Sequence, residues 1–236
     1  MTEELYLKDS YLKEFEAEII EIERNKVVLD KTAFHPIGGG LESDKGILIA
    51  NNEIFNVIEV RRENGKIFHY LDKEPNFSVG QKVYCKLDWD RRYKMMRLHT
   101  AAHIIAAILY NKYNVLITGG NITEEYARDD FNLQAENWRE IINETIEEAN
   151  KIVKEGRNVK IYFLKREEAF KIPGIVKLAN KLPPNVENLR IVEIEGIDIQ
   201  ADGGPHVSNT KEIGKIVLLK AENKGKNNRR IYYTVE

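Results

Sequence analysis

The stretch Met95–Leu109, MMRLHTAAHIIAAIL, reads as a buried helix, yet it carries two histidines four residues apart, His99 and His103. Residues four apart on a helix share one face about a turn from each other, so both rings can aim at one point. Two readings follow: two satisfied polar groups in a core, or half of a metal site. The spacing is that of helical zinc ligands. The metalloprotease pattern, however, places a glutamate directly after the first histidine, and here Thr100 stands in that place. The peptidase reading therefore fails.

Upstream, residues from about 14 to 88 are β-rich. The run Phe15–Phe34 holds two short strands meeting at Arg24–Asn25, and GKIFHYLD (Gly65–Asp72) and QKVYCKLDW (Gln81–Trp89) add further strands between turn signals. Such punctuation suggests a small barrel. The character changes near Asp88. Asp90 is placed to cap a helix starting at Arg91 and running to about Tyr113. A second helix follows, with Trp138, Ile141, Ile142, Thr145, Ile146, Ala149, Ile152 and Val153 in one stripe and Gly156 as the stop. Beyond it come a strand at NVKIYFLK, a short helix at EEAFKIPG, a turn at LPPN (Leu182–Asn185) and strands at LRIVEIE, GKIVLLKAE and RRIYYTVE. The expected fold class is α+β. An N-terminal, β-barrel-like domain (1–89) precedes a mixed helix and antiparallel-sheet domain (90–236).

Composition narrows the function classes. With 236 residues, 42% of them hydrophobic and 31% charged, the chain can bury a sizeable core, and no apolar run approaches a membrane span. Its acidic, polar start does not read as a targeting segment, so a cytoplasmic location is expected. The single cysteine, Cys85, excludes an intrachain disulfide and reads as a buried strand thiol. A net charge of −2 means that any nucleic acid must be held by local basic patches. Two clusters qualify: Arg91, Arg92, Lys94 and Arg97, and then Lys224, Lys226, Arg229 and Arg230. Each cluster alone reads more often as a solvated face.

Far downstream, GIDIQADGGPHVSNT (Gly196–Thr210) brings Asp202 and His206 into a glycine-rich loop that can turn tightly around an ion or substrate. Two helical histidines, a loop histidine and a carboxylate make a zinc set with one position open or weakly held. RLHTAAHIIAAIL, ARDDF (Ala127–Phe131) and DGGPHV, in this order, resemble the editing domain of alanyl-tRNA synthetase, and still more its free-standing relatives, the alanyl-tRNA editing proteins. The glycine-rich stretch DKTAFHPIGGGLESDKG (Asp30–Gly46) is similar to a segment of their N-terminal domain. The resemblance implies a zinc-dependent deacylase that removes serine, and in some members glycine, from tRNA(Ala). It carries the zinc ligands onto His99, His103 and His206.

The family loop usually opens with cysteine, in a Cys-Gly-Gly-Thr-His order. Here Asp202 takes the cysteine's place and Pro205 the threonine's. A carboxylate there can ligate zinc, orient a histidine or take a proton from water. A supporting or substrate-facing role is expected, since three histidines suffice for a catalytic zinc. Thr100 and Gln134 are candidates for hydroxyl or amide contacts to the reacting group, set against an ordinary helix-backbone hydrogen bond for Thr100 and a solvated side chain for Gln134. Gly38, Gly39 and Gly40 form a turn that, by resemblance, encloses the aminoacylated end, and Arg91, Arg92, Arg229 and Arg230 are candidate phosphate contacts. The competing class is an RNA-binding module with a purely structural zinc.

Overall fold

The computed structural model describes residues 2–177 and 185–236, so the LPPN turn lies, apart from Asn185, outside the described residues. The chain forms two compact units, Met1–Tyr93 and Lys94–Glu236. No helix among the described residues is long and apolar enough to cross a membrane.

The first unit holds β1 (Glu3–Glu4), β2 (Glu14–Glu23), β3 (Lys26–Leu29), β4 (Lys31–Thr32), β5 (Gly46–Ala50), β6 (Glu53–Glu63), β7 (Lys66–Leu71) and β8 (Lys82–Leu87). Six of these close a barrel in the order β2-β3-β7-β6-β5-β8. The reason is legible in β2: Phe15, Ala17 and Ile19 point inward while the intervening glutamates face water. Arg24 makes the β2–β3 turn in a left-handed conformation, φ 55°. β6 is the longest strand of the barrel, and its residues do not alternate cleanly. A bulge between Val57 and Glu59 resets the register, so Phe55, Val57 and Val60 are buried while Ile54 and Ile58 are exposed. Gly38 and Leu41 exchange backbone hydrogen bonds (3.1 and 2.9 Å) around Gly39 and Gly40, at φ 63° and 92°. Positive φ at both central residues is the hairpin geometry that glycine adopts without strain.

Two corrections concern the start of α1 (Trp89–Tyr113). The helix begins earlier than expected, and its capping carboxylate is Asp88, which accepts the Arg91 N–H at 3.3 Å, not Asp90. Arg91 and Arg92, expected as phosphate contacts, are buried within the first unit. Arg92 donates to the carbonyls of Ser10 (2.9 Å) and Ala33 (2.6 Å) and through Nε to Asp44 Oδ1 (2.9 Å). Arg91 donates to the Ser43 carbonyl and to Glu42 at 2.7 Å. With side-chain exposures of 0% and 1%, the Arg92–Asp44 pair has no face left for a phosphate.

In the second unit, the expected stripe of α2 (Trp138–Glu155) is the buried face, residue for residue, and Gly156 ends the helix at φ 76°. A four-stranded sheet runs β14-β15-β10-β9 and a three-stranded sheet β11-β12-β13. The strands are β9 (Ile117–Ile122), β10 (Ala127–Phe131), β11 (Val159–Lys165), β12 (Asn188–Ile194), β13 (Asp198–Ala201), β14 (Ile216–Asn223) and β15 (Arg229–Val235), all paired antiparallel. The short helix expected at EEAFKIPG is a single turn, α3 (Arg166–Ala169). From Leu98 to Leu109 every residue of α1 is buried, as a helix apolar on all sides requires.

The buried pair and a buried histidine set stability. Arg92→Ala leaves Asp44 uncompensated and is expected to cost about 3–5 kcal/mol in denaturant melts, whereas an unchanged midpoint would refute the pairing. His69 lies wholly buried in β7, 2.8 Å from Thr32 Oγ1, and burial pushes its pKa down to about 4. The folded state therefore binds fewer protons than the unfolded chain between pH 6.5 and 4. Its contribution is complete above pH 6.5 and is lost as pH falls through that window, by about 3 kcal/mol. Melts of His69→Gln across this range should show a shallower decline than wild type; parallel curves would remove His69 from the acid response.

Candidate metal centre

Four donors meet inside the second unit. His99 and His103 project from one face of α1. The loop after β13 returns Asp202 and His206 to that face. One ligand atom from each of the four lies within 4.8 Å of the others. Ring centroids stand 4.0 Å apart for His99 and His206, 4.6 Å for His103 and His206, and 5.0 Å for His99 and His103.

The loop is built to hold this shape. Asp202 Oδ1 accepts the Gly204 N–H at 2.7 Å, and Arg190 Nη1 donates to the Asp202 carbonyl at 2.8 Å. A Cβ on Gly204 would stand 2.6 Å from His99 Cε1, so the second glycine of DGGPH is a requirement of space, not of φ. Across the loop, the Val207 N–H donates to Thr100 Oγ1 at 3.3 Å.

Each ring is oriented through its Nδ1. His99 Nδ1 lies 3.3 Å from the Pro205 carbonyl, and His103 Nδ1 lies 3.0 Å from Asp198 Oδ2. His206 Nδ1 lies 3.0 Å from Thr100 Oγ1. The Thr100 hydroxyl spends its one proton on the Met96 carbonyl at 3.0 Å, so toward His206 it can only accept. That assigns the His206 proton to Nδ1 and turns the Nε2 lone pair inward. The three Nε2 atoms face the Asp202 carboxylate at 3.6 Å (His99), 3.9 Å (His103) and 3.2 Å (His206).

Electrostatics agree with this arrangement. Burial, reinforced by His99, holds the His206 pKa well below the ordinary range, so the ring stays neutral. Burial works to raise the Asp202 pKa, but the facing imidazoles, His99 first, outweigh it and keep the carboxyl well below the usual range. A neutral imidazole lone pair and a carboxylate oxygen 3.2 Å apart repel unless a cation lies between them. A donor set of three imidazoles and one carboxylate suits zinc.

Asp198, Gln200 and Lys177 also belong to this region, and sequence reading did not single them out. Asp198 is buried against His103, with Lys177 Nζ 2.5 Å from its other oxygen. One signal was present: in IDIQAD, Asp198, Gln200 and Asp202 alternate with apolar residues, which places all three on one face of a strand and its continuation.

The other candidates fall elsewhere. Gln134 is exposed between β10 and α2, outside the donor group. Gly38, Gly39 and Gly40 belong to the first unit. Arg229 and Arg230, expected to hold phosphates, are engaged internally. Arg229 is buried, donates to Asn223 Oδ1 at 2.9 Å and lies 5.3 Å from the Trp138 ring centroid. Arg230 forks onto Asp130 at 2.6 and 2.8 Å. Lys94 reaches the Val235 carbonyl, and Arg97 the carbonyls of Ile213 and Glu236, both at 2.7 Å. These cations serve backbone carbonyls, an amide oxygen and a buried carboxylate within the chain. The lysines of the later cluster, Lys224 and Lys226, are exposed.

Known proteins share these elements. Residues 189–232 match the family model described as "Threonyl and Alanyl tRNA synthetase second additional domain", and residues 5–91 match "tRNA synthetases class II (A)". The chain is 60% identical to the alanyl-tRNA editing protein AlaX-M of Saccharolobus solfataricus, over the whole of both chains. It is 41% identical to that of Methanosarcina barkeri over all of this chain and 99% of the other. The alanine–tRNA ligase of Ignicoccus hospitalis is 37% identical over 92% of this chain, which corresponds to 24% of the ligase. Full-length identity at this level, together with the ordered histidine, ARDDF and DGGPH segments, means that the chain belongs to the alanyl-tRNA editing protein family.

Proposed function

We propose that the protein is a trans-editing hydrolase that cleaves the ester joining serine to mischarged tRNA(Ala), with the glycine ester as the second substrate to test. The observation that carries this reading is the convergence of three imidazole Nε2 atoms on the Asp202 carboxylate, in a chain whose relatives are named for editing alanyl-tRNA. His99, His103 and His206 would hold zinc in the editing domain (90–236). Asp202, expected to support the site, is better read as a fourth donor, because its oxygens lie 3.2–3.9 Å from all three Nε2 atoms. When bound, zinc supplies the Lewis acidity that ester hydrolysis at neutral pH needs.

The chain's own residues do the rest. Thr100 is read as the residue that fixes the His206 tautomer, since its hydroxyl is already engaged on both sides. Gln134 offers an exposed amide to the substrate, and Gly38–Gly40 of the N-terminal domain (1–89) would enclose the aminoacylated end. Lys226, and Lys224 beside Glu222 at 3.1 Å, are left to meet tRNA phosphates, in the cytoplasm where tRNA is charged. Selectivity follows from a hydroxyl: a site that binds the serine Oγ leaves its polar groups unpaired with alanine, a discrimination of roughly 10⁴ or more.

A second reading has its own support. Four protein donors make a closed set, as in structural zinc sites, and the chain would then be an RNA-binding module. Deacylation of Ser-, Gly- and Ala-charged tRNA(Ala) by zinc-loaded and chelated protein separates the two. Hydrolysis of the serine ester that is lost on chelation and in His99→Ala or His103→Ala supports editing. Equal rates on serine and alanine, or binding without hydrolysis, would contradict it.

Asp202 has a separate test. As a donor, Asp202→Ala should release zinc and Asp202→Cys should restore it, because thiolate binds zinc well. Full zinc in Asp202→Ala would return Asp202 to a supporting role.

A further inference from the structure

Behind His103 lies a buried group of charges that the proposed function does not use. Asp198 Oδ2 accepts from His103 Nδ1 at 3.0 Å and from Gln200 Nε2 at 2.9 Å, while Oδ1 accepts from Lys177 Nζ at 2.5 Å. Side-chain exposures are 0% for Asp198 and 5% for Lys177. Lys177 Nζ also donates to the Gly174 carbonyl at 3.0 Å and lies 5.5 Å from the Tyr110 ring centroid. Burying an ion pair returns little net stability, and apolar residues of similar size often serve as well. Stability alone is therefore a poor reason for this pair. The Nδ1 atoms of His99 and His206 face neutral acceptors, the Pro205 carbonyl and the Thr100 hydroxyl, whereas that of His103 faces a carboxylate.

We infer that Asp198, held by Lys177 and Gln200, is the positioning residue for His103. It fixes the Nδ1–H tautomer and the ring plane, and so aims Nε2 at the donor group. Lys177 balances the charge of Asp198, so the buttress strengthens His103 as a donor without leaving a net negative charge in the core. A carboxylate behind a ligating imidazole is worth about 10–100-fold in metal affinity. The inference rests on the metal reading of the site above.

The test uses cobalt(II) as a spectroscopic probe and zinc competition against a chelator, on the full chain. The double variant Asp198→Leu/Lys177→Met removes both buried charges together and is expected to keep the wild-type circular dichroism and melting temperature. Its zinc affinity should nevertheless fall by about 10–100-fold, and its cobalt absorption bands should move. Gln200→Leu, which keeps both charges, should shift both readouts less and in the same direction.

Wild-type affinity and spectrum in the double variant would show that the pair only fills the core, and would overturn the inference. If the double variant does not fold, an unmoved cobalt spectrum in Gln200→Leu overturns it just as well. Failure of the underlying reading looks different: wild-type protein that takes up no cobalt removes the metal site itself, and this assignment with it.

Discussion

The site depends on a repulsion. A neutral imidazole lone pair on His206 and an ionised Asp202 oxygen are held 3.2 Å apart in a buried region, with His99 and His103 facing the same carboxylate. The backbone nevertheless enforces the approach: α1 presents its two histidines one turn apart, and the Asp202–Gly204 turn folds the loop back against His99 at a distance only glycine permits. Groups arranged to attract a cation cost stability until one is bound, so a cation held here would also order the loop.

Buried charge is a recurring theme in the chain, and in most places it is balanced internally. Arg92 with Asp44, Arg230 with Asp130 and Lys177 with Asp198 each neutralise a carboxylate away from water. Arg91, Arg97 and Arg229 cap carbonyls or side-chain oxygens. This use of arginine explains why two clusters that look like phosphate-binding patches in sequence offer so little free cationic surface. A guanidinium has five donors in a rigid fork, so one buried arginine can serve several acceptors at once.

Where an element buries apolar residues at a regular period, the sequence announces it. The α2 stripe, the β2 alternation and the helical histidine pair are examples, and with the loop histidine they already outlined the candidate site. Elements that bury polar residues left a weaker trace. β10 buries both Asp129 and Asp130, satisfied by Tyr233 Oη and Arg230, and so does not look like a strand. β9 pairs with it through two glycines, and a Cβ on Gly120 would lie 2.8 Å from Asp129 Oδ1. β6 hides its period behind a bulge. The role of Arg92 was invisible for a related reason: its partners Ser10, Ala33 and Asp44 lie 48 to 82 positions away, and only the closed barrel brings them together.

The central claim is that three imidazoles and one carboxylate form a single cation site. Zinc X-ray absorption on the metal-loaded protein addresses that claim directly. The account predicts a first shell of nitrogen and oxygen alone at about 2.0–2.1 Å, with outer-shell scattering from three imidazoles. A sulfur shell near about 2.3 Å, or scattering from fewer than three imidazoles, would contradict it.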